Sequence, residues 1–321
     1  MNAPVLITGA SGFAGGYLVE HLAPTHSIVA WTRSDPPHEL ASLAQWERID
    51  LLDRDRVRGA IAAIRPSQVY HCAGVAHVAE SWRDTAGVLE GNVRATDNLF
   101  DALRRTDVGC RVLVPGSAAV YAPSSEPIGE DSPLAPASPY ALSKLAQEEL
   151  ARRAVVEDGI EVVLTRSFNH TGPRQTAAFA APAFARQIAL IEAGAMEPVI
   201  RVGNLDAGRD LTDVRDVVRA YATLMKSGER GAIYNVGSGT SRTMRSVLDE
   251  LIARSKMPVR IESDPSRMRP SDVPVLTANC ARLEQATGWR PAISFDQMLD
   301  DLLEYWRGQT PVTGRTGVGP R

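Results

Sequence analysis

The stretch that most constrains this chain lies at its start. A mostly apolar run, Val5-Leu-Ile-Thr8, leads directly into Gly9-Ala-Ser-Gly12-Phe-Ala-Gly15, and a helical pattern follows to His21. Glycines at this spacing let a strand turn sharply into a helix, let backbone approach a pyrophosphate, and let the helix pack closely on the strand. The N–H groups at the start of such a helix face a negative charge. Gly9, Ser11, Gly12, Phe13, Ala14 and Gly15 are therefore expected to hold the phosphates of a dinucleotide. The plainer reading is a turn with no ligand; placement between strand and helix favours the phosphate reading.

The first half repeats this rhythm. Short unbroken apolar runs at Val5–Thr8, Ser27–Trp31, Gln68–His71, Arg111–Pro115 and Glu161–Thr165 alternate with helical patterns at Gly12–His21, Arg54–Ile64, Thr85–Arg104 and Tyr140–Val156. Such alternation predicts an α/β fold, a doubly wound parallel sheet buried on both faces. After Arg166 the punctuation changes, with Gly172-Pro173, Gly203 and Gly208 between helices at Ala180–Ala193, Val214–Ser227, Met244–Ser255 and Phe295–Trp306. Strands are expected there at Val199–Val202 and Ala232–Val236. The expected organisation is a dinucleotide-binding domain over 1–168, rejoined by part of 212–240, and a smaller C-terminal α/β substrate-binding lobe over 169–307. A flexible Gly/Thr/Pro-rich tail over 308–321 completes the chain.

The cofactor is read at the end of the second strand. An acidic residue there suits the ribose hydroxyls of NAD. This chain has Trp31-Thr-Arg33-Ser34. Arg33 suits a 2′-phosphate, so NADP(H) is preferred and NAD(H) stays open; the plainer reading of Arg33 is a solvated surface residue. Asp50 and Leu51, after an apparent strand at Trp46–Ile49, are expected near the adenine. Ala73 and Gly74, in His71-Cys-Ala-Gly74, are small enough to let a cofactor approach.

The chain holds three lysines against 32 arginines, and one of the three, Lys144, stands four residues after Tyr140. Pro139 opens the helix that carries both, and residues at i and i+4 share a helix face. Lysine is a compact point charge where arginine is a wide planar fork. A cation beside a phenol favours phenolate and lowers its pKa from about 10, poising a general acid or base. An ordinary surface pair is the alternative.

Composition excludes other classes. The net charge of −3 gives no footprint for nucleic acid or anionic membrane. No apolar stretch approaches the roughly 20 residues of a membrane span, and no signal peptide is expected. Cys72, Cys110 and Cys280 are too few and too scattered for a disulfide frame or a zinc site, and fit a reducing cytoplasm. No metal is expected.

Taken together, the motifs resemble the extended short-chain dehydrogenase/reductase family of nucleotide-sugar enzymes, with its Rossmann fold. They are TGASGFAG at 8–15, HCAG at 71–74, Asn92, GSAAVY at 116–121 and YALSK at 140–144. The second half carries FNHTGPRQ at 168–175, VGNLDAGRDLTDVRD at 202–216, YNVGSG at 234–239, RMRPSDVP at 267–274 and TGW at 287–289, and resembles the GDP-mannose branch. The resemblance implies catalysis by Ser117, Tyr140 and Lys144. It places Asn92 and His170 at the cofactor. Substrate contacts fall to Ser117, Asn169, Arg209, Arg269 and Asp272, with Arg174 a weaker candidate. Ala122 replaces the family's usual glycine after Tyr121.

Dehydratases of this branch carry a glutamate at the position of Ala119, beside Ala118, and a methyl group takes no proton. The resemblance therefore implies an NADPH-dependent reductase acting at C4 of a GDP-linked 4-keto-6-deoxy sugar, GDP-4-keto-6-deoxymannose to GDP-rhamnose. An NDP-sugar 4-epimerase with tightly bound NAD is the alternative; a 4,6-dehydratase and a non-catalytic cofactor-binding module stand further off. The family also implies a homodimer through helices over 85–104 and 140–156.

Overall fold

The computed structural model describes residues 3–268 and 275–310. In chain order its strands are β1 (Val5–Thr8), β2 (Ile28–Thr32), β3 (Gln45–Arg48), β4 (Gln68–His71), β5 (Arg111–Ser117), β6 (Glu161–Ser167), β7 (Asn169–Thr171), β8 (Val199–Val202), β9 (Gly208–Asp213), β10 (Ile233–Val236), β11 (Ser241–Thr243), β12 (Arg260–Ser263) and β13 (Val275–Leu276). The helices are α1 (Phe13–Leu22), α2 (Arg54–Ile64), α3 (Val78–Arg83), α4 (Thr85–Leu89), α5 (Ala95–Thr106), α6 (Pro139–Glu157), α7 (Ala180–Glu192), α8 (Val214–Ser227), α9 (Met244–Ala253), α10 (Ala281–Thr287) and α11 (Phe295–Gln309).

Seven strands make one sheet, in the order β3-β2-β1-β4-β5-β6-β10, and every pair is parallel. Successive side chains of a strand point to opposite faces. Val5 and Ile7 of β1 enter the core shared with α1 and α8, whereas Leu6 enters the core shared with α2, α5 and α6. Both faces are thus covered, which is why the strands read as unbroken apolar runs. The chain reverses its direction of travel across the sheet between β1 and β4. At such a reversal an open α/β sheet has a crevice outside the strands' C-terminal ends.

A separate core joins α7, α9 and α11 over β8, through Phe184, Ile188, Ile200, Leu248, Leu299 and Leu302. This is the smaller lobe. A fourth cluster of Ala118, Val120, Tyr121, Ile128, Phe168, Leu276 and Ala278 ties its inner edge to the end of β5.

Several boundaries differ from the sequence expectation. β5 and β6 run two residues further, to Ser117 and Ser167, because they pair with each other to the end. The helix expected over Thr85–Arg104 is three pieces: α4, a π-helical turn at Glu90–Arg94, and α5. The short strands β7, β9 and β11–β13 and the short helices α3 and α10 were not expected. α11 extends through Gln309, into the segment expected to be tail, and residues 311–321 lie outside the described part.

Candidate active site

The turn after β1 requires its glycines. Gly9 has φ +64°, and a Cβ on it would lie 2.6 Å from backbone atoms of Ala73. A Cβ on Gly15 would overlap the carbonyl oxygen of Gly9. The loops after β1 and β4 are therefore in backbone contact, and α1 begins in the crevice with Gly12 as its N-cap. Ser11 Oγ lies 2.8 Å from Thr32 Oγ1 at the end of β2. Beyond it Arg33 is exposed, and its carbonyl accepts a 2.9 Å hydrogen bond from Arg48 Nε on β3. Arg33 and Arg48 thus adjoin each other at the end of β2, where the sequence reading expects the adenosine ribose. The glycine cradle and the helix N-terminus fit a dinucleotide. Phe13 stacks on His170, with ring centroids 5.9 Å apart and planes 6° from parallel.

Other expected cofactor residues have different positions. Asp50 is exposed and accepts from the backbone N–H of Leu52 at 3.0 Å, while the side chain of Leu51 packs into the sheet core. Asn92 is fully buried in the π-helical turn. Its Oδ1 accepts from Val75 N at 2.7 Å, and its Nδ2 donates to Ser143 Oγ at 2.8 Å and to Val75 O at 3.1 Å. Asn92 therefore braces the loop of Ala73 and Gly74 against α6. A π turn commonly marks a functional position.

The groups expected to react meet where β5 ends and α6 begins. Ser138 caps α6 by accepting from Ala141 N at 3.1 Å, and Pro139 occupies the first turn, where its missing N–H costs nothing. Tyr140 thus enters the crevice from the first turn of α6. The side chain of Ser117, from the end of β5, lies near enough to the phenol to favour its charged form. Ser117 Oγ also accepts from Ala119 N at 3.2 Å. Lys144 Nζ donates to the Pro115 carbonyl at 2.6 Å and to Gln147 Oε1.

The electrostatics correct one expectation. Burial raises the Tyr140 phenol above its ordinary value, and the Ser117 side chain only partly opposes it; Lys144 is not what sets it. The ammonium is directed at Pro115 and Gln147. Burial in turn lowers Lys144 to about 8. Tyr140 is consequently a proton donor at neutral pH, which suits protonation of a developing alkoxide better than abstraction from an alcohol.

A cavity of about 240 Å³ opens into the smaller lobe and is bordered by Asn169, His170, Gln175, Phe179, Arg201, Asn204, Arg209, Met244 and Arg267, among others. Asn169 and Arg209, expected at the substrate, are both there. Arg174 is not: it forms a bidentate pair with Glu20 at 3.0 and 2.6 Å and lies 3.8 Å over the Tyr17 ring. It fastens the lobe to α1. Arg269 and Asp272 lie outside the described residues. Arg201 stands in no recognised motif in an arginine-rich chain, and Arg267 opens the RMRPSDVP stretch, of which only Arg269 and Asp272 were expected at the substrate. The cavity neighbours Asn169 and Arg209 stood in recognisable motifs. Gln147 and Thr96 had no place in the expected site either, and His71 entered it only as the first residue of the HCAG stretch.

Among the described residues, no cluster of acidic, histidine or cysteine side chains has the form of a metal site. No described helix is long and apolar enough to cross a membrane.

The family model described as GDP-mannose 4,6 dehydratase matches residues 6–302. The chain belongs to this family. It is an enzyme of the extended short-chain dehydrogenase/reductase type, whose members depend on NAD(P). It is 36% identical to the GDP-6-deoxy-D-mannose reductase of Pseudomonas aeruginosa, over 96% of this chain and 99% of that protein. The NADPH complex of RMD from Pseudomonas aeruginosa superposes with TM-score 0.85 at 35% identity, covering 96% of this chain and all of the other. The NAD complex of UDP-glucose 4-epimerase from Thermus thermophilus superposes with TM-score 0.85 at 28% identity, covering 95% and 99%. In the loop after Ser117, Ala118 is buried and Ala119 half-buried. Neither supplies a carboxylate.

Proposed function

We propose that this protein reduces the C4 ketone of a GDP-linked 4-keto-6-deoxy sugar, GDP-4-keto-6-deoxymannose to GDP-rhamnose, with NADPH as cofactor. The observation that carries the reading is a Ser117–Tyr140 pair with a proton-bearing phenol and no carboxylate at Ala118 or Ala119. Elimination of the C6 hydroxyl needs a base to take the C5 proton, and this loop has none. Bound NADPH would supply the hydride, held by the Gly9–Gly15 turn with its extra phosphate near Arg33 and Arg48. Ser117 donates to the C4 oxygen and keeps it within reach of the phenol. Tyr140 gives that oxygen its proton as negative charge develops. Lys144 holds positive charge behind the phenol and offers a further N–H to the site. Arg209, Arg201 and Arg267 border the cavity in which the diphosphate and nucleoside would lie, guanidinium groups being suited to phosphate. The reductase relative at 36% identity supports the substrate class.

The test is NADPH consumption with GDP-4-keto-6-deoxymannose and its dTDP and UDP counterparts, with the product's C4 configuration read by NMR. Consumption with the GDP substrate is expected. Purified protein that already carries NAD and interconverts C4 epimers without net oxidation of NADPH would replace this reading with a 4-epimerase.

The reading also includes a homodimer. Leu142 and Val156, on the helix implied at that interface, are 51% and 83% exposed, which supports it.

A further inference from the structure

A buried chain of polar groups connects Lys144 to the first strand. Because the side-chain oxygen of Gln147 takes the ammonium, its amide nitrogen faces Thr96 and donates to Oγ1 at 2.8 Å. Thr96 has one hydroxyl proton, and it goes to the carbonyl of Asn92 at 2.6 Å. The 2.9 Å contact between Thr96 Oγ1 and His71 Nε2 then requires the imidazole to donate. A neutral ring carries a single N–H, so His71 Nδ1 is an acceptor and takes the Thr8 hydroxyl proton at 2.8 Å. Thr8 Oγ1 in turn accepts from Ala73 N at 3.2 Å. Thr8 and Thr96 are 0% exposed, His71 and Gln147 1%. Burial, helped by the Lys144 charge, pushes His71 down to about 3, so the ring stays neutral at physiological pH.

The polarity of every bond in this chain is therefore fixed. A lysine side chain is flexible and carries three donors. Two neutral acceptors, the Pro115 carbonyl and Gln147 Oε1, fix where the ammonium sits without neutralising it, and a third donor remains for the reaction. The titratable groups around Lys144 are His71 and Cys72 from β4 and the segment after it, and Tyr140 from its own helix. All three are neutral at pH 7, since burial raises Cys72 to about 12 and raises Tyr140. Glu148, four residues further along α6, is taken by Arg166 and Arg152 and is not left to balance the ammonium.

We propose that Gln147 is a positioning residue that aims Lys144, with its amide orientation set by Thr96 and by the Nε2–H form of His71. The amide must present oxygen to the lysine, and the threonine–histidine pair enforces this by offering its nitrogen an acceptor. The same chain joins the lysine to the turn that begins at Thr8 and to the loop at Ala73. Cofactor cradle and catalytic helix are thereby held in one register. The inference rests on the reading of Lys144 as part of the reducing site.

Five variants and one spectroscopic measurement on the full chain test it. Gln147→Leu is expected to lower kcat on the order of 10–100-fold, with KM for the nucleotide sugar changed less than about twofold. Gln147→Glu places an anion against the ammonium, which favours the charged form, and moves the alkaline limb of the pH–rate profile to higher pH. Thr96→Val, close in volume but without the hydroxyl, lowers kcat, and Thr96→Ser restores it. ¹⁵N NMR of the His71 ring, identified by the signal lost in His71→Asn, should show the neutral Nε2–H form throughout pH 5–8. A wild-type rate and unmoved alkaline limb in both Gln147→Leu and Thr96→Val would overturn the proposal, as would an Nδ1–H ring, which is read in the wild-type protein. If wild-type protein fails to consume NADPH with any 4-keto sugar, the reading of function falls, while the His71 ring form still decides the polar chain.

Discussion

Tyr140 and Lys144, which one spacing motif pairs, are held in different ways. The phenol is kept protonated by burial, and the ammonium is held nearby by neutral acceptors. Replacement of Tyr140 by phenylalanine removes the proton donor and leaves the ring. Turnover should fall about 10²–10⁴-fold, with NADPH affinity by fluorescence titration within about twofold. Lys144 gives an opposite pair of pH effects. Its folded pKa of about 8 lies below the ordinary 10.5, so between those values the unfolded chain binds more protons than the native one. Its contribution to stability therefore rises with pH through that window, while activity needing the ammonium falls above about 8. Thermal melts and kcat/KM, both measured from pH 7 to 10, should diverge; a melt that collapses along with the rate would contradict this. Tyr140 and Lys144 stood out in the sequence because a lysine four residues after a tyrosine is unusual in a lysine-poor chain, whereas Ser117 came only with the family resemblance. Gln147 and Thr96 did not stand out, because polar residues on a helix usually face water, and only the fold reveals that these two are buried.

At the scale of elements, α6 carries most of the site and is pinned by a charge pair. Arg166 on β6 and Glu148 on α6 each have side chains 2% exposed and form two hydrogen bonds of 2.8 and 2.7 Å. Arg166 also donates to the Glu130 carbonyl at 2.9 Å and lies 4.8 Å over the Tyr121 ring. It thus connects the helix of Tyr140 and Lys144 to the segment that follows Ser117. Breaking a buried pair strands the remaining charge. Arg166→Met should cost about 3–5 kcal/mol in a urea or thermal unfolding experiment, and adding Glu148→Leu should return part of it. A double variant no better than the single one would show that the pair is not the source of the loss. The sheet strands were readable as unbroken apolar runs, since helices cover both their faces. β7, β11 and β13 are two or three residues long, too short for any periodicity. The π turn at Glu90–Arg94 is equally silent in sequence, because one widened turn leaves the apolar stripe of α5 intact while shifting Asn92 toward Val75 and Ser143.

For the whole molecule, association and connectivity are the open quantities. Leu142→Glu combined with Val156→Glu should reduce the mass measured by light scattering from dimer to monomer, if the exposed residues of α6 lie at the expected contact; an unchanged mass places the contact elsewhere. The connectivity is visible in the order of the chain. It builds six strands of the sheet, leaves for β7, α7, β8 and β9, returns to lay α8 and β10 against the sheet, and leaves again. α10 then comes back to pack on α8 and β10. A smaller lobe threaded through its neighbour so many times has no single seam along which recombination could exchange it. New specificities in such an architecture are reached by point changes along the cavity wall, and an engineer seeking a different sugar nucleotide has the same route and not that of trading modules.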